Sequence, residues 1–71
     1  MSSLAETLPQ EINRVRALQD TFKELRGMPN VIVEPQIAMM ERDIAAAIAA
    51  SSAGDVVAML RAYETLKGYE S

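Results

Sequence analysis

The stretch SSAGD, residues 51–55, decides how this chain folds, because it breaks one run of helical periodicity and starts another. Gly54 suits the left-handed conformation that closes a helix, and Asp55 is placed to cap the next helix or to favour its positive end. A connection this short makes the flanking helices antiparallel neighbours. The chain therefore holds a helical hairpin.

Upstream, a helix is predicted over about residues 35–51, with Pro35 in its first turn and Ile37, Met40, Ile44, Ala47, Ile48 and Ser51 at three-four spacing. Its run DIAAAIAA, residues 43–50, leaves little side-chain bulk around the cylinder. Alanine is the best helix former, so propensity alone accounts for the run. Small residues on several faces also admit more than one neighbouring helix. Ala46, which turns away from the isoleucine stripe, is expected with Ala50 and Ile48 at the contact with a second subunit. Downstream, a helix is predicted over about 55–67, with Val56, Met59, Leu60, Tyr63 and Leu66 as its apolar stripe and Gly68 at its end.

Further out, Leu8, Ile12, Val15, Leu18, Phe22 and Leu25 predict a long first helix over about 8–26. Thr7 and Gln10 fit a capping box, Pro9 fits a first turn, and Gly27 fits the C-terminal cap. The opposite face carries Glu11, Arg14, Arg16, Asp20, Lys23, Glu24 and Arg26, the pattern of a solvated surface. The fold class is thus all-α, a single domain over 1–71 built from a long helix and a helical hairpin.

The connector between the first two helices, residues 27–34, is unusual. It carries Met28, Val31, Ile32 and Val33, and the three β-branched residues suit an extended chain better than a turn. Such a segment either plugs the end of the chain's own core or packs on a partner. Met39 and Met40 point about 100° apart on a helix, so one of them faces a second surface. Arg61 and Tyr63 allow two readings as well: a solvated cation beside a core tyrosine, or a pair of interface anchors, since both residue types carry binding energy disproportionately.

Composition narrows the chemistry. At 71 residues, a domain buries only roughly 60 % of the surface its unfolded chain exposes. Small scaffolds compensate with disulfides, a metal or self-association. Cysteine and histidine are both absent, which leaves homo-oligomerisation, a dimer being the simplest closed state. Without those residues the usual nucleophile and base pairs cannot be built, and no glycine-rich phosphate loop or spaced acidic calcium loop occurs, so no enzyme, cofactor or metal centre is expected. The net charge of −3 argues against nucleic acid. The apolar run 44–53 falls short of the ~20 residues that span a bilayer, and the N-terminus lacks the pattern of a signal peptide, which predicts a chain of the cytoplasm with no membrane partner.

Two blocks carry a resemblance. Glu11, Ile12, Arg14, Val15 and Arg16 form E-I-x-R-V-R, and residues 54–63 read G-D-V-V-A-M-L-R-A-Y. In these blocks the chain resembles short helical accessory proteins of temperate phages and prophages of proteobacteria, and in size and layout it is similar to phage quorum-sensing anti-activators. The resemblance implies a non-enzymatic protein, in the cytoplasm of a bacterial host, that binds and inhibits a host regulatory or defence protein. Partner-binding residues are then expected at Met28, Val31, Ile32, Val33, Met39, Arg61 and Tyr63. One alternative is an oligomeric sponge for an anionic nucleotide signal, held by Arg14, Arg16 and Arg42 with Arg61. Another is a structural or assembly adaptor.

Overall fold

The computed structural model describes residues 3–69. Three helices run up, down and up: α1 (Leu4–Glu24), α2 (Glu34–Ala53) and α3 (Val56–Lys67). Each touches both others. The long helix plus helical hairpin expected from the sequence is the architecture found, with no strand among the described residues.

The turn at SSAGD closes as its residue types dictate. Gly54 takes φ 67°, and the N–H groups of Gly54 and Asp55 donate to the carbonyls of Ser51 and Ala50, both at 3.2 Å. These are the two bonds of a Schellman motif, and they satisfy carbonyls that the end of α2 would leave bare. Asp55 then caps α3 by accepting the Ala58 N–H at 3.1 Å.

Helix α1 begins earlier than its capping-box pattern indicates. Ser3 occupies the cap position, Leu4 opens the helix, and the Thr7 hydroxyl donates to the Ser3 carbonyl at 3.1 Å instead of capping. Pro9 consequently lies inside the helix. The extra turn is favoured because Leu4 packs against the core above Leu8, and that burial outweighs the backbone bond the proline cannot make. At its far end α1 stops at Glu24, two residues before Arg26.

The main core joins all three helices through Leu8, Val15, Met40, Ile44, Ala47, Ala50, Met59, Ala62 and Leu66. Helix α2 is the central one, and the small side chains of Ala47 and Ala50 let α1 and α3 approach it closely. Ala50 is thus a core residue and not part of an oligomer interface, a correction to the sequence reading. The same close approach resets the stripe of α3. Its spacing supports two overlapping stripes, and the one containing the small Ala62 turns inward while Val56 and Leu60 stay exposed. Ile48 and Ala46 on α2 also remain exposed.

Candidate functional site

The connector is held by its own backbone and by one ion pair. Gly27 and Asn30 both take left-handed φ, 83° and 65°, which folds the chain tightly twice within four residues. The Met28 N–H donates to the Leu25 carbonyl and the Val31 N–H to the Met28 carbonyl, each at 3.3 Å. At the base, the Arg26 guanidinium makes two parallel bonds to the Glu34 carboxylate, 2.7 Å from Nε to Oε1 and 3.1 Å from Nη2 to Oε2. Both side chains are well exposed, so the pair adds at most ~1 kcal/mol; its effect is geometric, tying the two ends of the connector together.

This geometry divides the apolar connector residues. Val33 turns inward and is buried with Ile37 at this end of the molecule. It plugs the chain's own interior, so its expected place on the partner surface is corrected. Met28, Val31 and Ile32 turn outward, and Ile32 is 87 % exposed. The plug reading therefore holds for Val33, while the side chain on the other side of the Ile32–Val33 bond stands in solvent.

The remaining expected partner residues do not join that surface. Met39 lines a shallow hollow with Arg42, Asp43, Thr65, Gly68 and Tyr69. Arg61 lines a groove between α2 and α3 with Asp43, Ala46, Asp55, Val57 and Ala62. Tyr63 is half buried against the core, with the Lys67 ammonium 5.8 Å from its ring centroid. Two residues apart on one helix, Arg61 and Tyr63 point about 200° apart and form no joint anchor.

The arginines proposed to hold an anion also diverge. Arg14 donates through Nε to Glu11 at 2.7 Å and through Nη2 to the Leu66 carbonyl at 2.8 Å, capping the end of α3 from α1. Its guanidinium is engaged in holding the bundle together. Arg16 lines a third hollow with Lys23, Arg26, Glu34 and Glu41, while Arg42 lies beside Asp43. Among the described residues no cluster of three or more acidic side chains could hold a metal ion. No helix of the described chain is long and apolar enough to cross a membrane.

Two polar contacts escaped the sequence reading. Gln19 is buried, and its Nε2 donates to the Ile37 carbonyl at 3.2 Å and to Glu41 Oε2 at 3.0 Å. Its signal was present, because Leu8, Ile12, Val15, Gln19 and Phe22 recur at strict four-three spacing. Tyr69, just beyond α3, donates its hydroxyl to Asp43 Oδ2 at 2.5 Å. Burial first, and then this bond to a carboxylate, push the Tyr69 hydroxyl up from 10.0 to about 12, with Arg42 pulling weakly the other way. No local pattern pairs residues 26 apart, so nothing in the sequence announced this contact.

Comparisons with family models, with curated proteins and with solved structures found no match for the chain.

Proposed function

We propose that this chain is a non-catalytic protein-binding module that offers its connector end, Met28, Val31 and Ile32, to a partner protein. The observation that carries the reading is the exposure of Ile32, a large aliphatic residue 87 % in water just after a turn closed by two backbone hydrogen bonds. An unbranched loop of polar residues would connect the helices equally well, and apolar groups displayed on a fixed turn suit a hydrophobic pocket on another protein. Methionine beside them adapts to the shape of that pocket. The resemblance in residues 11–16 and 54–63 supplies the partner class: a host regulatory or defence protein that is inhibited when bound. Both blocks lie outside the connector that would choose the target.

The test is quantitative capture from host lysate by immobilised wild type and by Ile32→Ser. The reading expects a specific partner with the wild type, loss of that partner with Ile32→Ser, and an unchanged melting temperature. Equal capture by both proteins sinks it. Inhibition is then assayed on the captured partner, and a partner that keeps its full activity assigns the chain as an adaptor.

A further inference from the structure

All the sulfur in this chain is thioether. The sequence holds five methionines and no cysteine, tryptophan or histidine, so methionine is the side chain that a peroxide oxidises first. Burial then divides the described methionines. Met40 and Met59 are core residues, 1 % and 8 % exposed, whereas Met28 is 51 % exposed and Met39 39 %. Oxygen transfer requires the peroxide to reach the sulfur, so Met28 and Met39 are open to it and the core pair is shielded. Met39 lies on α2 in the hollow with Arg42 and Tyr69, away from the connector. Met28 stands on the connector surface itself.

What holds the connector in shape does not involve the Met28 side chain. Its turn is closed by backbone bonds, in which the Met28 N–H donates to the Leu25 carbonyl and the Met28 carbonyl accepts from the Val31 N–H, and by the left-handed residues Gly27 and Asn30. The Arg26–Glu34 pair ties its base. A change at the sulfur therefore alters the polarity of this surface and leaves its shape.

We infer that Met28 makes the connector surface redox-sensitive: oxidation to the sulfoxide by a peroxide withdraws the surface from its partner, and reduction restores it. The inference rests on the reading of this surface as the partner site. In the forward step the thioether sulfur attacks the peroxide, the O–O bond breaks, one oxygen becomes bonded to sulfur and the other leaves as water. Sulfur gives up two electrons and the peroxide takes them. The return step draws two electrons and two protons from a dithiol, the chemistry of methionine sulfoxide reductases, and releases the oxygen as water. The sulfoxide oxygen is a hydrogen-bond acceptor for which a hydrophobic pocket supplies no donor, so an apolar contact becomes a group that is costly to bury. Leucine at the same place would be as apolar and inert to peroxide.

The test treats the full chain with dilute hydrogen peroxide, removes the peroxide with catalase, maps the oxidised methionines by peptide mass and measures capture of the partner from host lysate. Met28 is expected to gain oxygen about ten-fold or more faster than Met40 and Met59, with the melting temperature unchanged. Each protein is scored by its own ratio of capture after treatment to capture before. The ratio is expected to fall about ten-fold for wild type and for Met39→Leu, to stay near one for Met28→Leu, which still oxidises at Met39, and to recover when oxidised wild type is incubated with methionine sulfoxide reductase and dithiothreitol. A Met28 that reacts no faster than the core pair overturns the inference, as does a melting temperature that drops with its oxidation or a loss of capture that the reductase does not reverse. Capture that survives oxidation of Met28 ends the redox inference alone. A wild type that captures no partner before treatment ends the partner reading and this inference with it.

Discussion

Gln19 shows how one polar side chain is accommodated between two helices. Its amide lies in the apolar joint of α1 and α2, yet both of its acceptors are at hand: the Ile37 carbonyl and a Glu41 carboxylate whose side chain reaches solvent. Replacing it with an apolar residue of similar volume strands no buried group, because Glu41 can turn to water. Gln19→Leu is therefore expected to change stability by no more than ~1 kcal/mol, whereas Gln19→Ala leaves a cavity and costs about 2 kcal/mol. Urea denaturation of the two variants checks this, and a larger loss for the leucine would show that the hydrogen bonds outweigh the packing. Tyr69 gives a prediction in pH. Its value in the folded chain is raised from 10.0 to about 12, so the contribution of its bond to Asp43 is complete below pH 10 and is lost as the pH climbs towards 12. The difference in melting temperature between wild type and Tyr69→Phe should be constant from pH 7 to pH 10 and shrink across that window. A constant difference throughout would refute the assignment. Gln19 was legible in principle from its spacing; the Tyr69 bond depends on the three-dimensional path of the chain.

At the level of the helices, legibility followed the strength of local signals. The α2–α3 turn needed a left-handed residue and a capping acid, and Gly54 with Asp55 are the residue types that supply them, so both boundaries were read within two residues. The start of α1 misled because Thr7, Pro9 and Gln10 satisfy a capping pattern that tertiary packing of Leu4 overrides. A tension remains in that helix. Pro9 is its sixth residue and cannot donate to the Ala5 carbonyl, a defect that in the middle of a long helix costs ~3 kcal/mol. So near the end, part of that cost is absent. Pro9→Ala is expected to stabilise the chain by about 1 to 2 kcal/mol, seen as a higher melting temperature. A lower one would mean that proline's restriction of the unfolded chain dominates. The alanine run of α2 was ambiguous for a physical reason, since a face with no bulk invites a close neighbour without saying whether it comes from the same chain. Here α1 and α3 supply it.

The whole molecule is drawn out along α2. Its radius of gyration is 13.2 Å, where a compact chain of this length would have about 11 Å. The connector and the turn at Gly54 occupy opposite ends, some 30 Å apart along the 20 residues of α2. Contact at one end therefore leaves the other open. The division at the Ile32–Val33 bond supplies the control for the capture experiment. Val33→Ser removes a buried aliphatic group and places a hydroxyl among apolar neighbours, so it is expected to cost about 1 to 3 kcal/mol of stability, while Ile32→Ser leaves the unfolding midpoint where it was. Equal losses in chemical denaturation would show that both side chains serve the interior. That division was illegible beforehand, because neighbouring β-branched residues have the same local preferences and only the backbone path sorts them. It also bears on how the chain can vary. Ile32 stands almost wholly in solvent and Met28 half so, and the turn that displays them is set by Gly27, Asn30 and the Arg26–Glu34 pair. Substitutions at Ile32 above all thus escape the stability threshold that purges changes in a small core. A lineage can explore new surfaces there, one residue at a time, while every intermediate still folds.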